Sequence, residues 1–334
     1  MLENIEIIDY KCFKNLELES LGQINIISGD NNVGKTALLE ALFIERDLNH
    51  VKYGIAEAAV DYISLLGKNR NINSANFDRY LKEFKYKIHS QDATINFSIK
   101  YGLYLSDKEK ALVKKLNEKT RGYFLICEIN DELDIISLKN AEFYDNEDFE
   151  NNYINSSKPT NEMLVNLYSE IQTQGIQHNF LEYLQILDKN IVWIEPQLLK
   201  EEAVLRVNLK DPNISLITSE LGEGINRYIE ILCTLLSNSE FSVFIDEIEN
   251  GIHYSRLKDI WKAIIQIVQA EDIQLFVTTH DKETIEALKE ASDETNYKDI
   301  TSIKLSRDKE NKIVPTIHKY DNFVYGIERG ADLR

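Results

Sequence analysis

The sequence predicts an α/β fold, and three observations predict it. An apolar run at residues 24–27 leads through a glycine-bearing turn into a good helix former at 35–43. Two more apolar runs, at 241–245 and 275–278, end abruptly in polar and charged residues. From about residue 191 onward, strand-like and helix-like segments alternate, as they do where helices cover a sheet.

The elements follow in order. Ile5, Ile7 and Ile8 begin one short strand, and Leu16 and Leu18 alternate with acids in a second. Residues 24–27 make a buried third, followed by the helix at 35–43. Residues 48–190 have a different character. There, 48–66 reads as a helix, and Phe84, Tyr86, Ile88 and then Ile95, Phe97, Ile99 alternate as two antiparallel strands. Residues 107–118 form a charged helix. Strands at 123–129 and 133–138 flank a turn at Asn130-Asp131. Residues 145–162 are polar, carry Pro159 and read as a loop, and 163–187 has helical spacing at Leu164, Leu167, Tyr168 and Ile171. The α/β pattern then returns: a strand at 191–194, an amphipathic helix at 224–236, the strand 241–245, a helix at 252–268, the strand 275–278, a helix from Lys282, and late strands at 301–305 and 313–318. The expected organisation is one α/β unit from 1–47 and 191–334, interrupted by a mixed α+β insertion at 48–190 that would serve as an arm or a partner dock.

Composition limits the function. The chain has 334 residues, 43% of them hydrophobic, and 38 basic against 56 acidic residues leave a net charge of −18. Such a surface is ill suited to holding a polyanion broadly, because nonspecific nucleic-acid binding rests on Lys and Arg neutralising phosphates. The three cysteines, Cys12, Cys127 and Cys233, make no metal or disulfide pattern. The first residues lack the order of a signal peptide, and no apolar run approaches membrane-spanning length. A cytoplasmic protein with no membrane contact is the expectation.

The chemistry starts at Gly29-Asp30-Asn31-Asn32-Val33-Gly34-Lys35-Thr36, which fits the phosphate-binding pattern G-x-x-x-x-G-K-[ST]. Glycines let backbone N–H groups converge on phosphate oxygens, and the helix N-terminus adds partial positive charge there. Lys35 would reach the outer phosphates of a triphosphate, and the Thr36 hydroxyl would hold Mg²⁺. The alternative is a glycine turn with an incidental lysine, and the strand and helix on either side argue against it. At the next strand end, Asp246 can support the metal and Glu247 can orient the attacking water or take its proton. His280, at the end of the strand after that, could sense a terminal phosphate; a surface histidine capping the next helix is the alternative. The segment 219–227 places Gly222 and Gly224 at a helix start, where amides are available to an anion; taken alone, it reads better as an ordinary glycine-containing entry to a buried helix.

Taken together and in this order, these residues resemble the ATP-binding-cassette ATPases. Within that class the chain looks most like the overcoming-lysogenization-defect ATPases and their relatives in the recombination-protein-F and Rad-fifty/SMC group. The likeness covers 1–47 and about 191–334, and includes the entry strand Ile7-Ile8-Asp9-Tyr10-Lys11-Cys12-Phe13-Lys14. It implies a P-loop NTPase of the cassette-head type with an inserted arm, in which two heads sandwich ATP head to tail. Asn31, Asn32, Val33, Gly34, Lys35, Thr36 and Ala37 would then bind the nucleotide. Thr36 and Asp246 would hold the metal, with Glu247 and His280 catalytic. Ser219, Gly222, Gly224 and Arg227 would belong to a signature loop acting in trans, and residues 249–253 would cross to the partner head. Gly222 occupies the usual signature serine position. Gln197 is the candidate for the metal-binding glutamine of the class. Neither a long coiled coil nor a fused nuclease domain is present in the sequence, and its tail resembles endings of stand-alone members.

The resemblance therefore implies an ATP- and Mg²⁺-dependent ATPase that forms a dimer or higher oligomer and gates a protein effector, a toxin or nuclease, in defence against phages. A DNA-repair or maintenance ATPase is the alternative; it needs basic residues on one face, with Lys82, Lys85, Lys87 or Lys108, Lys110, Lys114, Lys115 as candidates. A kinase or GTPase fits less well, since no guanine-reading Asn-Lys-x-Asp element is present.

Overall fold

A computed structural model of the chain describes residues 1–50, 85–90, 94–115, 123–129, 132–137, 152–211, 214–238 and 242–330. At its centre is a six-stranded sheet in the order β15-β14-β3-β13-β12-β8. These strands are β3 (Ile24–Gly29), β8 (Tyr153–Ile154), β12 (Ser242–Ile245), β13 (Gln274–Thr278), β14 (Ile300–Arg307) and β15 (Ile313–Lys319). All run parallel except β15, which pairs antiparallel with β14. Three interior strands, β3, β12 and β13, are buried along their whole length. That is why they read as continuous apolar runs: helices cover both faces, so neither face can be polar.

On one face lies α1 (Lys35–His50), whose Leu38, Leu39, Leu42 and Phe43 pack with Ile27, Phe244 and Phe276. The rings of Phe244 and Phe276 stack 5.2 Å apart, and Phe43 meets Phe244 edge-on at 5.5 Å. The opposite face presents Ile26, Val243, Ile245, Leu275 and Val277 to a helical layer. That layer contains α3 (Asn161–Gln174), α4 (Gln177–Leu187), α5 (Glu223–Ser237) and α6 (Tyr254–Ala270). Further on, α7 (Lys282–Thr295) packs on α6, and α8 (Tyr320–Glu328) follows β15.

A second six-stranded sheet, antiparallel throughout, has the order β2-β1-β4-β5-β6-β7. It comprises β1 (Ile5–Tyr10), β2 (Phe13–Leu18), β4 (Lys85–Ser90), β5 (Thr94–Tyr101), β6 (Tyr123–Ile129) and β7 (Glu132–Ser137), with α2 (Asp107–Lys115) packed on β7. A third sheet is the antiparallel set β9 (Ile191–Leu199), β10 (Glu202–Leu209) and β11 (Ser215–Ile217). Among the described residues no helix is long and apolar enough to cross a membrane.

The single insertion expected at 48–190 is corrected by this topology. Strand β4 hydrogen-bonds to β1, so the later strands extend a sheet that the N-terminus begins. Residues 152–187 join the central unit: β8 is its edge strand, and Leu164, Leu167, Tyr168, Ile171, Phe180 and Leu184 enter its core. Alternation along a strand shows that a face is buried but does not name the strand that pairs with it. The stretch 163–187 is two helices, because Gly175 takes φ +75° and caps the first by donating to Gln172 and Ile171 carbonyls. The loop expected at 145–162 contains β8, too short to show a period. The helix expected at 48–66 and the turn at Asn130-Asp131 lie outside the described residues, apart from 48–50, which belong to α1.

Candidate active site

Three neighbouring parallel strands, β3, β13 and β12, deliver the site at their C-terminal ends. The loop after β3 needs its glycines. Gly29 takes φ +141°, and a Cβ there would meet the Leu305 carbonyl oxygen at 2.5 Å; Gly34 takes φ +93°, and a Cβ would meet Cys12 Sγ at 2.6 Å. Within this loop Lys35 is nearly buried, and its Nζ donates to the carbonyls of Gly29 at 2.7 Å and Asp30 at 3.0 Å. Burial lowers its pKa, opposed by Glu247 and Asp246. Val33 and Ala37 are buried beneath the loop, whereas Asn31, Asn32 and Thr36 are exposed.

Thr36 Oγ1 donates to both carboxylate oxygens of Asp246, at 3.2 and 3.1 Å. Asp246 also accepts from the Thr278 hydroxyl at 2.6 Å, and that hydroxyl in turn accepts the Glu247 N–H at 2.8 Å. Burial raises the Asp246 pKa against these donors. Glu247 has a left-handed backbone, φ +51°, and its Oε2 accepts from Asn250 Nδ2 at 2.9 Å. His280 Nδ1 lies 3.9 Å from Glu247 Oε1. The fold thus gathers Lys35, Thr36, Asp246, Glu247 and His280 in one corner.

A sequence profile described as "AAA domain, putative AbiEii toxin, Type IV TA system" matches residues 24–286. The chain belongs to this AAA-domain family. An "ATP/GTP phosphatase" of Helicobacter pylori is 24% identical over 377 aligned positions that cover all of both chains. The DNA replication and repair protein RecF of Lachnoclostridium phytofermentans is 24% identical over 275 positions, 78% of this chain and 68% of that one. Among solved structures, an SMC head bound to the C-terminal winged-helix domain of ScpA superposes with a TM-score of 0.51 at 12% identity, covering 96% of this chain and 98% of that one. The fold is that of a cassette-type P-loop ATPase head.

The remaining expected site residues divide. Ser219, on the short turn Thr218–Glu220, and Gly222, which precedes α5 with φ +103°, are exposed. At Gly224 a Cβ would meet the Gly251 carbonyl oxygen at 2.7 Å, so the helix start is fitted against the loop after β12. Arg227 is corrected. Expected in a loop acting in trans, it is 3% exposed and turned inward. Its guanidinium donates to the carbonyls of Asn155 at 2.8 Å, Asp246 at 2.7 Å and Glu247 at 3.4 Å, and to Glu230 Oε2 at 2.9 Å. Burial pushes Glu230 up to about 7 even beside this cation. Helical spacing explains the error: position 227 lies one turn beyond the exposed entrance, on the apolar side with Tyr228 and Ile231. Gln197 is also misplaced for a metal ligand. It lies on β9, in the separate three-stranded sheet, and accepts from Arg206.

Two contributing residues, Thr278 and Asn155, escaped the sequence reading, and two more, Glu249 and Asn250, entered it only as part of the crossing loop 249–253. Thr278 links Asp246 to Glu247, Asn250 holds the Glu247 side chain, and Asn155, following β8, offers its carbonyl to Arg227. Glu249 lies beside His280, with Oε1 3.1 Å from Nδ1. Polar side chains immediately after apolar strands were the available signal; their pairings depend on which strands are neighbours.

The donor set fits Mg²⁺ with a nucleotide. A hydroxyl and a carboxylate are hard oxygen donors, and Thr36 and Asp246 present both together. Among the described residues no group of three or more His, Cys, Asp or Glu side chains could hold a metal. The ion would therefore need phosphate oxygens to complete its shell, as Mg²⁺ commonly does.

Proposed function

We propose that this ATPase is a nucleotide-switched head that pairs with a second copy around ATP and gates a protein effector. The observation that carries the reading is the contact of Thr36 with Asp246, which joins the phosphate loop to the strand end bearing Glu247. Lys35 would exchange its two carbonyl partners for phosphate oxygens. Thr36 and Asp246 would hold Mg²⁺, which neutralises phosphate charge when bound. Glu247, fixed by Asn250, would orient a water and take its proton, and His280 would meet the terminal phosphate. The exposed Ser219 and Gly222 would face the nucleotide of the second copy, with Gly224 fitted behind them.

For the effector, the family's description supports a toxin-linked partner, and anti-phage defence of the overcoming-lysogenization-defect kind is the setting we favour. The net charge of −18 favours a protein partner over bare DNA. Similarity to RecF across 78% of the chain keeps a DNA-maintenance role as the second reading.

The test is turnover of ATP and GTP by the parent and by Glu247→Gln, with mass measured in solution. The parent should hydrolyse ATP slowly, and Glu247→Gln should lose that turnover and accumulate as an ATP-stabilised dimer. Equal turnover in the two proteins would remove Glu247 as the base. A duplex-DNA titration separates the two readings: affinity that falls steeply with salt favours the DNA role.

A further inference from the structure

Glu249 is the third acid of the segment that carries Asp246 and Glu247, and neither the metal nor the attacking water requires it. It is 9% exposed, whereas the His280 side chain beside it is 47% exposed. Its Oε1 accepts from the Thr279 hydroxyl at 2.9 Å and from the His280 backbone N–H at 3.0 Å, and lies 3.1 Å from His280 Nδ1. The other oxygen, Oε2, is buried with no hydrogen-bond partner. Two backbone bonds hold the acid in place: Ile248 N–H donates to the Thr278 carbonyl at 3.2 Å, and Ile252 N–H to the Glu249 carbonyl at 2.9 Å.

A buried acid is costly unless it is compensated, and burial does raise the pKa of Glu249 against its donors. The groups of other residues that meet this carboxylate all belong to Thr279 and His280. The acid is thus fitted to the end of β13 and to its histidine, not to the phosphate loop. A carboxylate oxygen against Nδ1 favours a proton there, and which ring nitrogen is protonated decides what the other can do.

We propose that Glu249 is the positioning residue of His280: it keeps Nδ1 protonated and the ring oriented, so that Nε2 is the nitrogen presented to the nucleotide. This rests on the reading of His280 as the group that meets the terminal phosphate. Glu249 touches no reacting atom and acts only through the histidine.

A double-mutant cycle tests it, using His280→Ala, Glu249→Ala and the two combined, with kcat and KM for ATP and a melting temperature for each. Each single change should lower kcat by about 10²-fold or less, and the double variant should be no slower than His280→Ala alone. Losses that multiply in the double variant overturn the positioning link while leaving the histidine's role intact. Parent-level turnover in His280→Ala overturns that role, and the link with it. Glu249→Gln, which keeps one acceptor oxygen, should recover part of the kcat lost in Glu249→Ala. Should the alanine variant not fold, the ring-nitrogen chemical shifts of His280 in the parent protein decide: a protonated Nδ1 is expected, and an unprotonated Nδ1 overturns the inference.

Discussion

The phosphate-loop corner and the entrance of α5 contrast sharply. At the corner, Lys35 and Asp246 are buried and Thr36, Asp246, Thr278 and Glu247 are already linked by hydrogen bonds. The α5 entrance, where Ser219 and Gly222 stand exposed, has nothing within 4 Å of a Cβ built at Gly222. One chain therefore completes the phosphate-loop corner and leaves the α5 entrance facing solvent. The proposed pairing of two copies requires this division, since a loop serving another molecule must stay accessible. Gly224 and Arg227 mark the boundary: one turn into the helix, the same segment is locked against its own chain.

The largest effect should come from breaking the finished half. Lys35→Ala removes the buried cation that the proposed function assigns to phosphate, and turnover should fall by roughly 10²–10³-fold or more, the cost of losing one preorganised donor. Folding should persist, because the α1 face of the sheet is held by Leu38, Leu39, Leu42 and Phe43. Nucleotide affinity by calorimetry checks the first point and circular dichroism the second. Undiminished turnover would remove the loop from the site.

Next in size is Arg227→Met, which tests whether the lock is internal. Glu230, 2% exposed, would be left without its cation. Breaking a buried pair on one side costs about 3–5 kcal/mol, whereas replacing both partners is often neutral. Urea unfolding of the single chain should show that loss in Arg227→Met and recover most of it in the double variant with Glu230→Met. A single variant as stable as the parent would mean that Arg227 serves the second copy after all, and the boundary drawn above would move inward.

The same contrast explains what could be read from the sequence. The corner was legible because it is local: glycines with positive φ, a lysine and a threonine lie within one short segment, and Asp246-Glu247 and His280 each follow a wholly buried strand. Parallel strands covered on both faces leave unmistakable apolar runs. What remained hidden depends on which segments meet. β4 pairing with β1, and β8 with β12, joined residues that sequence alone had assigned to a separate insertion. Arg227 and Gln197 were misjudged for the same reason: proximity to a motif in sequence is not direction in space. Glu249 was in view at 249–253, but only β13 lying beside β12 shows that it meets His280.

A smaller effect is expected at Gly224, where space and not conformation is limiting. Alanine there would press its methyl against the Gly251 backbone oxygen at 2.7 Å, and backbone yields less readily than a side chain. Overpacking of this kind costs about 1–3 kcal/mol. Thermal melting should show the loss without nucleotide present. An unchanged melting temperature would mean that α5 can slide on the loop after β12, and the sharp boundary between locked and open segments would disappear.

The smallest effect on the single chain, and the sharpest test of the open half, is Ser219→Trp. Surface substitutions away from special features change stability by no more than about 0.5 kcal/mol, and Ser219 is exposed on a short turn. The corner lies on other strands, so binding of ATP to one chain should match the parent. A tryptophan at a surface meant for a second copy would obstruct that copy. In the Glu247→Gln background, light scattering should therefore show ATP-bound monomer where the parental loop gives dimer. A dimer of undiminished stability would place the contact between copies elsewhere, and the exposure of Ser219 and Gly222 would then be ordinary solvent exposure with no nucleotide to meet.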